Sequence, residues 1–351
     1  MIPSKNKIAS SDDLYNALQS DICKGRIGSR LPSIAQLCDI YDVSHCTVKK
    51  VLDRLKSHKY IEGYKGKCVL VNETAIANPL FRKNIVFYLH IDTMGNPYYL
   101  KILACVRQLL HDSGSLVHFV NSSEQLAGLD LKPDVIVLSE ILDKNEVEEL
   151  ETVCGWENVL KLNDSSQNYN TIATDNYDGG YQAAEYLYKM GHRNVGLVSR
   201  DLGIANDFFA NRFHGFKAFV ETHSHMSFFN AEINMAENLN VVVPAATKEL
   251  LAKCPQITAF FAITDMLAMG VYSYCAQNGL KIPQDVSVLS FDNRDFSSML
   301  FPPLTTFQED SEQVAALVKE MIGKIVGKHE PQYTILIKPF LIERESVGKI
   351  H

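Results

Sequence analysis

No stretch of this chain approaches the roughly 18 consecutive apolar residues of a membrane-spanning helix, so no membrane partner is expected. Residues 1–13 are polar and lack the apolar centre of a secretory signal, and a cytoplasmic location is expected. No C-x-x-C pair occurs. The eight cysteines (Cys23, Cys38, Cys46, Cys68, Cys105, Cys154, Cys254 and Cys275) are scattered, which argues against a zinc ribbon or a disulfide framework and for reduced thiols. Neither a G-x-x-x-x-G-K-[ST] loop nor a G-x-S-x-G turn is present. His214, His223 and His225 lie close in sequence without an assured ligand geometry, so neither a metal nor a cofactor is read here. The paired carboxylates Asp175 and Asp178 lack a matching base, metal or nucleophile, so no enzyme is expected.

What is present is ample core material. The 351 residues are 46% hydrophobic and 21% charged, the balance of a globular protein of two or three domains. The net charge of −7 conceals an asymmetry. Residues 1–71 hold 12 Lys and Arg against 7 Asp and Glu, whereas residues 72–351 hold 22 against 34. A small basic head on a large acidic body suggests a nucleic-acid-binding module joined to something else.

The head reads as three helices and a hairpin. Leu14, Leu18 and Ile22 recur at helical spacing, and Gly25 and Gly28 stop the run. Ser33 stands at an N-cap position with Gln36 three residues on, the pattern of a capping box. A short turn leads to a third helix capped by Ser44. Its residues Val48, Val51, Leu52 and Leu55 form one apolar stripe, and His45, Lys49, Lys50, Asp53, Arg54 and Lys56 lie opposite. Two short strands follow around a basic bend, Lys65-Gly66-Lys67. This order is a helix-turn-helix. Its third helix fits a major groove, the capped helix starts at Ser33 and Ser44 face phosphates, and the hairpin tip adds cations beside them. The expected DNA contacts are Ser33, Ser44, His45, Thr47, Lys49, Lys50, Lys65, Gly66 and Lys67.

Residues 14–71 resemble the GntR-type winged-helix domain, through Leu31-Pro32-Ser33, Val43-Ser44-x-x-Thr47-Val48-Lys49 and the Gly66-Lys67 wing. Ala35 and His45 stand where that family usually has arginine, Lys49 also replaces an arginine, and Cys68 replaces a glycine. Arginine makes planar bidentate contacts that His and Lys do not copy, so the resemblance implies DNA binding at a site unlike the family's common operators.

Residues 72–83 lack periodicity, contain Asn78-Pro79 and read as a linker. Beyond them, apolar runs alternate with helical patterns. Strands are predicted at 85–90, 116–120, 135–138, 159–162, 172–174, 195–199, near Val241, and at 259–262, 286–291 and 333–337. Helices are predicted at 98–111, 144–153, 177–190, 211–221, 245–252, 266–278 and 309–326. This alternation makes an α/β body of parallel sheets, and about 270 residues suit two lobes. Ligands of such sheets sit beyond the carboxyl ends of strands. Those positions hold 92–99, 175–178, Thr264-Asp265 and Asp292-Asn293, with Arg212 nearby. Carboxylates, a guanidinium and aromatic faces together suit a neutral polyol. Helix capping is the alternative reading of Asp175 and Asp265, and a structural ion pair that of Arg212. Beyond Arg212, only Arg200 and Arg294 are basic candidates in these loops, which favours a neutral sugar over a sugar phosphate.

The body resembles the effector domain of lactose/galactose-type repressors, itself similar to periplasmic sugar-binding proteins. The resemblance rests on Asn96-Pro97-Tyr98-Tyr99, Asp175-Asn176-x-x-Gly179, Met190-Gly191-His192-Arg193, Arg212-x-x-Gly215-Phe216, Asp265-x-x-Ala268-Met269-Gly270, the run from Gly279 to Ser287, Phe291-Asp292-Asn293 and Pro303-Leu304-Thr305-Thr306. It implies ligand contacts from Tyr98, Tyr99, Asp178, Arg212 and Asp292, with Thr264 and Asp265 nearby; Thr264 replaces a frequent asparagine. It also implies a domain at 84–343 whose lobes exchange the chain three times, with lobe one at 84–173 and 308–328 and lobe two at 174–306 and 331–343. The combination is similar to the chimeric regulators typified by the arabinose repressor of Gram-positive bacteria, which implies a homodimeric, sugar-responsive repressor on double-stranded DNA. The rival expectation is a carbohydrate receptor whose head docks a protein.

Overall fold

The computed structural model describes residues 10–63, 68–89, 97–139, 150, 152–163, 169–200, 208–328 and 333–350. The head begins with helices α1 (Ser11–Cys23), α2 (Ile34–Tyr41) and α3 (His45–Ser57). Each start is capped by a serine that accepts a backbone N–H: Ser10 from Asp13, Ser33 from Gln36 and Ser44 from Thr47. The Gln36 side chain returns the contact to the Ser33 N–H, completing the capping box. Leu14, Leu18, Leu37, Val48, Val51, Leu55 and Tyr60 meet in one buried core. Strands β1 (Ile61–Gly63) and β2 (Val69–Val71) pair antiparallel, and Arg30 bridges to Leu70 to extend this wing. The basic bend Lys65-Gly66-Lys67 lies outside the described residues.

The segment 72–83 is folded where the sequence reads as irregular. Asn72 caps a short helix, α4 (Glu73–Ile76), by accepting from the Ala75 N–H. Ile76 and Phe81 pack on the head core, and Leu80 is buried in the core of the following lobe. Twelve residues offer too few periods for this to show in the pattern, and tertiary contacts supply the order.

Next come β3 (Asn84–Leu89), α5 (Pro97–Asp112), β4 (Leu116–Val120), α6 (Ser123–Ala127), β5 (Val135–Ser139), β6 (Val159–Leu162) and β7 (Asn170–Thr174). The helix predicted at 144–153 falls mostly outside the described residues. In β3, Ile85, Phe87 and Leu89 face one core while Val86 and Tyr88 face another. Both sheet faces are therefore covered, which is why the strand reads as a continuous apolar run. The chain then forms α7 (Asn176–Lys189), β8 (Asn194–Arg200), α8 (Phe208–Thr222), β9 (Ser227–Ile233), α9 (Leu239–Lys253), β10 (Ala259–Ala262), α10 (Asp265–Asn278), β11 (Ser287–Phe291), β12 (Thr305–Gln308), α11 (Ser311–Val326), β13 (Thr334–Ile337) and β14 (Phe340–Ile342).

These strands make two six-stranded sheets. The first has the order β13-β7-β6-β5-β3-β4 and is parallel throughout. The second has the order β14-β12-β11-β10-β8-β9, with only β14 antiparallel. The chain passes between them after β7, after β12 and between β13 and β14. Val314, Val318 and Ile322 of α11 return to the core of the first sheet.

Three expectations are corrected. Residues 331–343 do not all belong to lobe two: β13 pairs with β7 from Thr334↔Thr171 to Ile337↔Thr174 and buries Ile337 in the first core. Val241 is exposed on helix α9, whose Val243, Thr247 and Leu250 form the buried stripe; the strand of this region is β9. Its β-branched triplet imitates a strand, whereas β9 is a partly exposed edge without clean alternation. The second lobe also continues past 343. Ser346 and Val347 are buried, Ser346 Oγ donates to Val288 O, and Ile350 N donates to Met190 O.

Candidate functional site

On the head, His45, Cys46, Lys49 and Lys50 are exposed along one side of α3. The hydroxyls of Ser44 and Thr47 lie 2.8 Å apart and Ser44 Oγ accepts from Thr47 N, so both are tied to the helix start. Arg54 is withdrawn from this face. Its Nη1 lies 2.5 Å from Asp12 Oδ1 and its guanidinium sits 4.1 Å from the centre of the Tyr15 ring. The spacing alone placed Arg54 among the outward cations; α1 recruits it as a structural tie.

On the body, four elements converge on Arg212. Gly180 and Gly215 let α7 and α8 touch backbone to backbone. A Cβ at Gly180 would lie 1.9 Å from Arg212 O, and one at Gly215 1.9 Å from Tyr177 O. That approach sets Arg212, 3% exposed, against the start of α7. Its Nε donates to Asn176 Oδ1 at 2.7 Å, and its Nη1 donates to Ile263 O at 2.8 Å and to Asp292 Oδ1 at 3.0 Å. The Phe291 ring lies 3.6 Å beneath the guanidinium, a cation–π contact at a buried position.

Asp292 follows β11 with φ +115°, and Asn293 has φ +48°. Left-handed backbone at two consecutive non-glycine residues persists only where surroundings hold it, and such strain clusters at ligand sites. Arg294 Nε stands 3.7 Å from the second Asp292 oxygen. Burial lifts the Asp292 carboxyl to about 7, against the pull of Arg212 and Arg294 and with the repulsion of Asp265 and Glu309. It is thus poised between charged and neutral forms near neutrality.

Asp265, expected near the ligand, has the surroundings of a support. It is fully buried, and its carboxylate accepts from Ser290 Oγ, from Ser297 Oγ at 2.5 Å, from Thr306 Oγ1 at 2.7 Å and from Arg294 N at 2.8 Å. Four donors leave no face for a ligand and pin the loop that carries Asp292. Thr264 is 4% exposed and caps α10 by accepting from Leu267 N. Asp175 caps α7 by accepting from Asp178 N at 3.0 Å. Asp178 is partly exposed, accepts from Gln182 Nε2 at 2.6 Å and faces Lys338 Nζ at 3.6 Å across the last chain crossing.

The structure therefore brings Arg212 and Asp292 together, with Asp178 farther along α7. The side chains of Tyr98 and Tyr99 lie outside the described residues. Asn176 and Phe291 join the site from within quoted motifs, and Arg294 is one of the basic candidates of the cleft loops. Asn176 stands within the quoted Asp175-Asn176 motif, and the serine at 290 in an apolar strand was the available sign of a buried polar partner. Among the described residues, no three His, Cys, Asp or Glu side chains group as a metal site, and no helix is long and apolar enough to cross a membrane.

Comparison with known proteins places this geometry. The family of bacterial regulatory proteins, gntR family, matches residues 10–71, and the periplasmic binding protein-like domain matches residues 184–347. The HTH-type transcriptional repressor PurR of Histophilus somni is 23% identical over 327 residues, covering 86% of this chain and 90% of that protein. The PurR of Escherichia fergusonii is 30% identical over 199 residues; there the match covers 54% of this chain and about half, 55%, of the relative. Among solved structures, a CelR–cellobiose complex superposes with a TM-score of 0.63 at 18% identity, covering 87% of this chain and 91% of that one. A LacI family transcriptional regulator from Enterococcus faecium with bound ribose gives 0.61 at 21% identity, covering 77% and 100%. These identities speak for a shared fold. Residues 10–71 thus match the gntR family of bacterial regulatory proteins and residues 184–347 the periplasmic binding protein-like domain, on a fold similar to that of the solved regulators above.

Proposed function

We propose that this protein is a cytoplasmic, sugar-responsive transcription repressor. Its head binds double-stranded DNA, and a neutral monosaccharide held between the two lobes modulates that binding. The observation that carries the reading is the Arg212–Asp292 pair, buried on Phe291 at the strand ends of a body attached to a DNA-binding head. A guanidinium and a carboxylate side by side offer donors and acceptors to adjacent hydroxyls. Arg212 and Arg294 stand beside Asp292, and Lys338 beside Asp178, so these cations already face carboxylates, which suits a neutral ligand better than a phosphate. Relatives named as repressors support the regulatory role, and neighbours whose structures hold ribose or cellobiose support the ligand class.

Two copies would read two half-sites. Met266 and Met269 on α10 are exposed, as are Met299 and Phe301, the last 95% so. The Tyr272 hydroxyl donates to Pro302 O, which keeps this loop beside α10. An apolar patch of this kind supports a homodimer. Sedimentation of Phe301→Glu checks it, with a shift from dimer to monomer expected.

A melting screen against ribose, arabinose, fucose, galactose and glucose tests the ligand, because a molecule bound only by the folded state raises stability. Retention of duplex from upstream of the coding sequence, measured with and without the stabilising sugar, tests the coupling. If a sugar stabilises the protein but no duplex is retained even at low salt, the head docks something other than DNA.

A further inference from the structure

The loop that carries Asp292 is gripped from behind by a residue 51 positions further along the chain than Asn293. Arg344 follows β14. Its Nη2 donates to Asn293 Oδ1 at 2.7 Å and its Nη1 donates to Leu304 O at 2.6 Å. Its backbone N–H donates to Thr305 Oγ1 at 2.9 Å. Among the described residues no carboxylate pairs with this guanidinium, so both arms of the fork are spent on neutral oxygens.

Asn293 is held at both ends of its side chain. Its Nδ2 donates to Gln308 Oε1, so the amide lies between Arg344 and the last residue of β12. A guanidinium only donates, and an amide presents one acceptor and one donor group, so the two contacts fix which way the amide faces. Gln308 leads straight into Glu309 and Asp310, the cap of α11, where the chain passes into lobe one. One amide thus ties the site loop to the end of β12 and to the final stretch of chain.

That grip opposes two forces. The φ values of +115° at Asp292 and +48° at Asn293 are conformations that non-glycine residues leave unless their surroundings hold them. The Asp292 carboxyl is also crowded by the Asp265 and Glu309 carboxylates, and burial penalises its charge. Both forces favour an ordinary backbone with the carboxylate turned to water. The loop is pinned before Asn293 by Asp292 N, which donates to Phe307 O at 2.8 Å, and after it by Arg294 N and Ser297 Oγ, which donate to Asp265. Asn293 is the residue between these pins.

We propose that Arg344 is a positioning residue of the ligand site: by gripping the Asn293 amide it holds the left-handed turn that aims the Asp292 carboxylate at Arg212 and at the ligand. It acts through Asn293 and not by contact with the ligand. This deepens the sugar-site reading above and rests on it for the ligand class. A planar fork reaches a carbonyl and an amide oxygen at once, which a lysine ammonium does not reproduce. A merely structural Arg344 would tie the end of the chain to β12 and leave the aim of Asp292 alone.

The test uses the full chain as wild type, Arg344→Met, Arg344→Lys and the double variant Arg344→Met with Asn293→Gly. Affinity is measured by calorimetric titration with whichever of ribose, arabinose, fucose, galactose and glucose raises the wild-type melting temperature. Both single variants are expected to bind about tenfold more weakly, the scale on which supporting partners outside a site act. Asn293→Gly is expected to return most of the lost affinity, because glycine takes a left-handed φ without strain. The double variant still melts below wild type, since the contact with Leu304 O is missing. Without sugar, wild type and Arg344→Met are each compared with their own Asp292→Asn version in melting scans from about pH 5 to 8. Folded Asp292, lifted to about 7, keeps a proton that the unfolded chain gives up near pH 4, so wild type loses stability relative to Asp292→Asn as pH rises from about 5 to 7. In Arg344→Met this slope is expected to vanish. Arg344→Lys, which keeps charge and stem and is scanned in the same way, decides the matter if Arg344→Met does not fold. Wild-type affinity in both single variants overturns the proposal, and so does a double variant that recovers none of the loss. A pH slope left unchanged by loss of Arg344 overturns it whatever the sugars show. If no panel sugar shifts wild-type melting, the sugar reading is what fails, and the pH slope upholds or overturns the positioning of Asp292 by itself.

Discussion

Replacing Arg212 by methionine removes a guanidinium that is 3% exposed and donates to Asp292, Asn176 and the Ile263 carbonyl. The methionine still covers Phe291, so the loss is chiefly electrostatic. Breaking one half of a buried pair costs about 3–5 kcal/mol, because the other charge is left without a partner. Asp292 escapes part of this by binding a proton, since its carboxyl already stands at about 7. The penalty is therefore larger at pH 8 than at pH 6. A melting point lower by roughly 6–20 °C is expected at pH 8, at 2–4 °C per kcal/mol for a domain of this size. Adding Asp292→Asn removes the stranded charge and should recover much of the fall. The assay is differential scanning calorimetry of wild type, Arg212→Met and the double variant at both pH values. A single variant melting within about 2 °C of wild type, or a double variant no better than the single, refutes the reasoning. Sugar-dependent stabilisation should vanish in both.

Other outcomes follow from the same geometry. His192 is 1% exposed, hydrogen-bonded to Thr258 and to Gly348 O, and burial pushes its pKa down to about 4. The unfolded chain then binds the extra proton, so stability rises between about pH 4 and 6.5 and levels above; His192→Gln should lose this slope, worth about 3 kcal/mol, in pH-dependent urea melts. Lys49→Ala should weaken duplex retention and make the plot of log affinity against log salt shallower by about 0.9, with sugar affinity unchanged in calorimetric titration. Gly215→Ala forces a Cβ onto Tyr177 O and should cost about 3 kcal/mol by denaturant unfolding, since backbone cannot give way as a side-chain end does.

The head was legible almost residue by residue. Its caps, stripe and turn are local signals, and serines at 33 and 44 act as their positions suggest. Arg54 was not legible, because its partner Asp12 is 42 positions away and only packing of α1 on α3 brings them together. In the body, strands covered on both faces stood out as apolar runs. The edge β9 did not, and Val241 to Val243 misled because β-branched residues favour strands only as a weak prior. At the site, the types of Arg212 and Asp292 and the capping alternative for Asp175 were readable, whereas the roles of Thr264 and Asp265 were not. A carboxylate after a strand looks the same whether it meets a ligand, caps a helix or holds a loop. Counting the donors around Asp265 separates these, and that count exists only in three dimensions.

Both sheets take their final edge from the last stretch of chain, β13 for the first and β14 for the second. Ser346 and Gly348 then stitch that stretch to β11. During synthesis the apolar core of the head is complete once residue 81 has emerged, and it is free to fold early. The first sheet is complete only with Ile337, and the second lobe only with residues near 350. A chain interrupted before Thr334 would therefore carry a finished helix-turn-helix core on two unfinished sheets.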